Sequence, residues 1–456
     1  MNESFRAPLA FALMAIMLLA VGIMQSWSLS LAILNLCLIS AIMALGVNIQ
    51  WGYAGLLNVG IMGFTAIGGL AAVLVSQAPV REAWAVGGSG MLVSLLIVIA
   101  IIAIILAIRK YLKNLLVRRF SIFITLVIGM MLLNQFYDPA VSSIESIDPA
   151  KTGFLGGLGI PIIFSWVVGG LLAAGVAWVI GKVTLGLRSD YLAIATLGIS
   201  EIIIAVLKHE DWLSRGVKNV TGLPRPVPYE VDLQNSERFI NFIELINKNK
   251  LSELIDTAQY NETLRSIVIE SSSIFVKLCY SGLLFIVLII ILYLSNRALN
   301  SPWGRMMRSI RDNEEAANAM GKNVVKQHLQ VFILGSAVVG IAGAMLTTLN
   351  GQFTPASYQP LRFTFLIWIM VIVGGSGNNL GSILGGFFIW FLWIEAEPMS
   401  IFIMNMLTSG LSDTSLLKEH LVKSSPHLRL FIMGLVLLVT LRFRPKGILP
   451  EKVRHA

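Results

Sequence analysis

Apolar residues gather along the chain in long blocks separated by short polar connections, at about residues 9–25, 29–50, 54–76, 91–108, 121–137, 161–180, 190–208, 273–295, 328–349, 361–375, 382–407 and 428–441. Blocks of this kind predict an all-α polytopic membrane protein with roughly ten to twelve hydrophobic segments. Several fall short of the ~20 residues that a straight span needs, so some segments are expected to be tilted, broken or re-entrant. Two interruptions are large. A polar stretch covers 209–273, and a charged one, SPWGRMMRSIRDNEEAANAMG, covers 301–321. They divide the chain into an N-terminal bundle (1–208), an insert (209–273) and a C-terminal bundle (274–456) that carries the 301–321 helix.

Composition agrees with the pattern. Of 456 residues, 56% are hydrophobic and only 13% charged, and the mean hydropathy is +0.79, outside the soluble globular range. The formal net charge of +9 does not point to nucleic acid, because the bases sit beside apolar blocks rather than in a basic domain. They mark topology instead. Arg109, Lys110, Lys113, Arg118 and Arg119 form one acid-free connection; Arg297, Arg305, Arg308, Arg311, Lys322 and Lys326 lie in a second; Arg442, Arg444, Lys446, Lys452 and Arg454 form a third. The positive-inside rule assigns all three to the cytoplasm, with four crossings between successive connections. By the same count both termini are cytoplasmic and the insert is extracytoplasmic. Arg6 ahead of the first apolar run could belong to a signal peptide, but the missing small-residue cleavage site favours a first transmembrane helix. Cys37 and Cys279 both lie in apolar stretches and read as packed free thiols, and the five histidines have no ligand spacing.

The 301–321 stretch reads as a short amphipathic helix. Ser301 suits the N-cap, Pro302 the first helical position and Gly321 the position past the end. Met307, Ile310, Glu314 and Ala317 recur at helical spacing, and the pairs Arg308 with Asp312 and Arg311 with Glu315 are four residues apart on the outer face. Glu315, Ala316, Ala317 and Gly321 resemble the EAA loop of ABC importer permeases. The longer run of Gly304, Arg305, Ile310, Arg311, Asn313, Glu314, Ala316, Ala317 and Gly321 resembles the LivM and LivH type of permease for branched-chain amino acids and related small solutes. The proline-containing ending of the general EAA pattern is absent, since Val331 to Leu334 reads VFIL, as in the branched-chain group. The resemblance implies that this helix, with Arg308 among its outer residues, docks on an ATPase subunit.

Other stretches carry the resemblance through most of the chain. Residues 44–75 are rich in glycine, with Gly52, Tyr53, Ala54 and Gly55 at the centre, and they bring the amides of Asn48, Gln50 and Asn58 into the membrane. Buried amides need partners, so each serves either helix packing or a solute pathway. In 187–207, Asp190 can cap a helix, Thr196 belongs to the shared pattern, and Glu201 lies mid-segment. A carboxylate there is costly unless it is paired or wet, and it reads either as an interhelical pair or as a functional group. Asn219, Val220, Thr221 and Gly222 resemble the family's threonine-and-glycine turn, but Leu223 and Pro224 replace its further glycine. Gln352 to Ser357, the glycines from Gly374 to Gly386, and Arg442 to Leu449 also match in order.

Three functions compete. The resemblance implies a permease subunit of an ABC importer, working by alternating access with two ATPase subunits that use ATP and Mg²⁺, a second related permease and an extracytoplasmic solute-binding protein in a bacterial inner membrane. The chain itself carries no cofactor: Gly181-Lys182 and Gly321-Lys322 lack the Ser or Thr and the upstream glycine of a phosphate loop. An ion-coupled secondary transporter would need several intramembrane charges, and Glu201 is nearly alone in the apolar segments. An intramembrane enzyme would need a catalytic pattern such as HExxH or GxSxG, and neither occurs. Branched-chain amino acids are the commonest assignment of the family; urea and short amides also belong to it. The insert holds ten acidic and seven basic residues and reads as a docking surface for a solute-binding protein or as a loop that packs on its own permease.

Overall fold

A computed structural model describes residues 3–148, 152–252, 257–410 and 416–451. Lys452 and Arg454 of the third basic group lie outside them. Nineteen α-helices are present among these residues, and ten are long and apolar enough to cross a membrane. The first half contributes α1 (Glu3–Met24), α2 (Trp27–Val47), α3 (Ile61–Ser76), α4 (Arg81–Tyr111), α5 (Leu115–Glu145), α6 (Phe164–Thr184) and α7 (Ser189–His209). The insert adds the short α8 (Asp211–Ser214), α9 (Glu230–Gln234), α10 (Glu237–Ile246) and α11 (Lys248–Ser252). The second half contributes α12 (Thr257–Asn300), α13 (Pro302–Asp312), α14 (Glu314–Ala319), α15 (Val324–Asn350), α16 (Pro360–Gly374), α17 (Asn379–Leu407), α18 (Leu416–Ser424) and α19 (Leu428–Phe443).

The twelve expected apolar blocks thus appear as ten long helices and two short ones, α3 and α16. Both short helices adjoin breaks. A five-residue π-turn, Asn48–Gly52, ends α2 before a non-helical segment leads into α3, and Gly375 with φ +119° ends α16 before α17 begins.

The centre of the bundle is α2, α3 and α15, with α6, α12, α16 and α17 packed around it. From Cys37 to Val47 every residue of α2 is buried, whatever its direction, so this half of the helix is surrounded by protein. Small residues make the close approach possible. A Cβ on Gly68 of α3 would collide with the Gly340 carbonyl of α15, and one on Gly340 would meet Ala173 and Gly169 of α6. Backbone contact of this kind replaces the hydrophobic drive that lipid cannot supply. By contrast, α4 and α5 pair with each other and leave most of their apolar surface exposed, the pattern of lipid-facing helices.

Two features add to the sequence reading. Within 209–273, α12 begins at Thr257 and carries the polar residues 257–272 as its first turns. Of the two roles open to the insert, its contacts describe packing on the bundle. Val220–Thr221 pairs antiparallel with Gln352–Phe353, Leu223 N–H donates to the Gly351 carbonyl at 3.1 Å, and Phe239 of α10 meets Phe275 of α12. The expected amphipathic helix around Phe239–Ile246 is α10, with Ile243 buried.

Candidate functional site

The amides of the broken span lie where α2 gives way to its π-turn. Asn48, fully buried, donates through Nδ2 to Asn379 Oδ1 at 3.0 Å and accepts from the Gly377 amide at 2.9 Å. Gln50 donates through Nε2 to the Phe332 carbonyl at 3.0 Å and to Ser336 Oγ at 3.1 Å, while its Oε1 accepts from Asn58 Nδ2 at 2.9 Å. Asn58 in turn accepts from the Gly60 amide at 2.9 Å, and its carbonyl receives the Trp368 indole N–H at 3.1 Å. Helix α7 closes the same break: Thr196 Oγ1 accepts from Val59 N–H at 3.1 Å and Ser200 Oγ from Gly63 N–H at 2.8 Å. The non-helical backbone is therefore satisfied by side chains, the condition for breaking a helix inside a membrane. Of the two roles open to Asn48, Gln50 and Asn58, these bonds describe the packing one. Gly52 allows the closest approach, since a Cβ there would strike Asn48 Oδ1 and the Gly377 amide, and Gly55 takes φ +70° to turn the chain.

The charged stretch at 301–321 is two helices rather than one. Asn313, in extended backbone, ends α13 and caps α14, its Oδ1 accepting from Ala316 N–H at 2.9 Å. Ser301 does not cap through its hydroxyl; it donates back to the Ala298 carbonyl at 2.6 Å. Past the end, Gly321 has φ +77° and Lys322 N–H reaches the Ala317 carbonyl, a left-handed C-terminal cap.

The arginines turn inward. Arg311 does not pair with Glu315, nor Arg308 with Asp312. Arg311 Nη1 donates to the Gly52 carbonyl and to Glu451 Oε2 at 2.9 Å, and its Nε reaches the adjacent Asp312 at 3.1 Å. Arg308 lies 3.5 Å from Glu451 Oε1 and stacks over the Tyr53 ring at 5.3 Å. Burial opposes the Arg311 charge, but Glu451 and Asp312 outweigh it and raise the guanidinium above its ordinary pKa.

Glu451 reaches this position because the C-terminal segment folds back on α16. Gly447, at φ +77°, turns the chain, and the Ile448 and Leu449 amides donate to the Val373 and Gly374 carbonyls, both at 2.9 Å. These bonds satisfy the last carbonyls of α16. Sequence reasoning missed Glu451, although it is the lone acid among the closing basic residues.

The nine residues assigned to ATPase docking therefore split. Gly304 and Ala317 pack inward beside Met307 and Ile310, Gly304 so tightly that a Cβ would collide with the Leu299 carbonyl. Arg308 and Arg311 bind the bundle. Arg305 on α13, Glu314, Glu315 and Ala316 on α14, and Gly321 just past it are exposed, and the three α14 residues form a ledge.

Glu201 is not with the other pathway candidates. Exposed on the far face of α7, it lines a cavity of about 940 Å³ with Lys208, Arg362, Glu397 and Arg429. Glu201 is thus not a lone charge: α16, α17 and α19 bring others beside it. Asp190 lies in the first turn of α7 but does not cap it, that position being Arg188.

Residues 120–441 match the family described as branched-chain amino acid transport system / permease component. The chain belongs to this family. It is 28% identical over 223 residues to the high-affinity branched-chain amino acid transport system permease protein LivM of Escherichia coli, covering 48% of this chain and 47% of that protein. It is also 28% identical over 170 residues to a probable branched-chain amino acid transport permease protein LivM of Methanocaldococcus jannaschii, covering 37% and 45%. A fructose import permease protein, FrcC of Rhizobium meliloti, is 26% identical over 110 residues, covering 23% and 30%. The chain spans about half the length of the curated LivM relatives it matches. No solved structure matches it. The helical bundle and the family together make it a multi-pass membrane protein of the permease type.

Proposed function

We propose that the chain is the permease subunit of an ABC importer that moves a small polar solute, branched-chain amino acids first, across a bacterial inner membrane. Two ATPase subunits use ATP and Mg²⁺, a second related permease completes the pathway, and a solute-binding protein delivers from outside. Both termini and the α13–α14 elbow face the cytoplasm. The observation that carries this reading is the division of the elbow: α14 offers an exposed ledge at Glu314, Glu315 and Ala316, while Arg311 one turn away is bonded to the Gly52 carbonyl of the broken span. An ATPase that closes on ATP and pulls the ledge moves α13, and the Arg311 and Arg308 contacts carry that displacement to Gly52 and Tyr53. Alternating access follows if the α2–α3 break yields before the packed helices do.

Pull-down of the intact chain and of Glu315→Arg from native membranes tests the reading. An ATPase retained by the intact chain and lost from the variant supports it. No ATPase with either form in mild detergent moves the competing reading ahead, ion-coupled transport of small amino acids or amides, which the charges around Glu201 favour.

A further inference from the structure

The cavity between α7, α16, α17 and α19 contains charges of both signs that the fold does not use. Arg429 pairs with Glu397. Glu201, Lys208 and Arg362 have no hydrogen bond or ion pair among the described residues. Glu201 and Lys208 are seven residues apart on α7, hence on one face and roughly 10 Å apart along the axis. Arg362, in the first turn of α16, has its guanidinium carbon 4.9 Å from the centre of the Trp393 ring, and Arg429 meets the same ring at 4.9 Å. A cation–π contact of this kind leaves the guanidinium N–H groups for an acceptor. Leu361, Phe365 and Leu430 supply an apolar wall.

Depth adds to the argument. Arg362 and Arg429 begin helices whose other ends meet the 444–451 segment that reaches the elbow through Glu451, so the cavity lies toward the end of the bundle away from it. Glu201 lies more than halfway along α7 from the elbow end, where a free carboxylate must face water or a ligand rather than lipid.

We propose that this cavity is the binding vestibule for a small zwitterion with an apolar side chain. Its carboxylate is held by Arg362 and Lys208, its ammonium by Glu201, and its side chain lies on Leu361, Phe365 and Leu430. A bidentate guanidinium matches a carboxylate, and an uncharged amide leaves both signs of charge unpaired, so the vestibule selects against urea-like solutes. The assignment rests on the importer reading and gives its solute a site at named residues.

Radiolabelled leucine and urea uptake by cells carrying the complete transporter tests it, for the parental chain and for Arg362→Gln, Glu201→Gln and Glu201→Asp, with ATPase co-purification scored for each. The parental chain takes up leucine in preference to urea. Each neutralising variant loses leucine uptake on the order of tenfold to a hundredfold, as a raised KM, and keeps its ATPase, while Glu201→Asp recovers part of the loss. Parental leucine kinetics in both neutralising variants overturn the vestibule and leave the importer reading standing. Equal parental uptake of urea overturns the selectivity. A second arm does not depend on the energy source or on the charged variants: Leu361→Cys is labelled with a membrane-impermeant thiol reagent, above the parental background. Leucine protects and urea does not; labelling that leucine leaves unchanged overturns the site, even where no ATPase co-purifies.

Discussion

Two polar regions interrupt this apolar bundle, one buried and one open to the surface, and they are built in opposite ways. At the α2–α3 break, Asn48, Gln50 and Asn58 are buried and use their amides on one another, on backbone and on Ser336 and Asn379. In the cavity at the other end, Glu201, Lys208 and Arg362 line one space and have no hydrogen bond or ion pair among the described residues. A satisfied buried network stabilises and specifies a conformation, whereas an unsatisfied set of charges is costly unless a ligand or water meets it. The first region is framework, and the elbow grips it through Arg311. The second is surplus to the fold.

Substitutions should separate the two. The largest effect is expected at the crossing that supports the break: Gly68→Val places side-chain atoms on the Gly340 carbonyl, and membrane accumulation of the protein should fall to near background on immunoblots. Gln50→Leu strands Asn58 Nδ2 and removes the bonds from Gln50 to the Phe332 carbonyl and Ser336; with ~1–3 kcal/mol for a stranded buried group, a loss of about 2 kcal/mol is expected in thermal unfolding in detergent. Glu451→Gln removes the charge that Arg311 and Arg308 share, at a partly buried site, and should cost about 1 kcal/mol in stability while reducing transport more than that loss explains. Smallest of all, Arg362→Gln should change stability by less than ~0.5 kcal/mol, because no carboxylate depends on it. A large destabilisation from Arg362→Gln, or none from Gln50→Leu, would erase the distinction.

Much of the framework was legible because it is local. Apolar block length gave the helices, and Asn313 followed by two glutamates carries an N-cap signal that splits the elbow, although the continuous helical spacing of Met307, Ile310 and Ala317 masks it. The start of α12 was hidden for another reason: residues 257–272 are helical but polar, so hydropathy alone places them in the insert. Partners far apart in sequence could not be read at all. Arg311 and Glu451 are 140 residues apart, and local spacing favoured pairing with Glu315, which points the arginine toward solvent. The cavity was equally hidden, since Glu201, Arg362, Glu397 and Arg429 sit on four helices and each looks like an isolated charge along the chain.

The energy source is the most direct test of the central claim that the elbow drives the broken span. Leucine uptake is measured in membrane vesicles containing the complete transporter, with and without internal ATP and with ion gradients collapsed by ionophores. Uptake that requires ATP, survives the ionophores and is lost in Glu315→Arg is the predicted result. Uptake that persists without ATP and disappears with the gradients would contradict it.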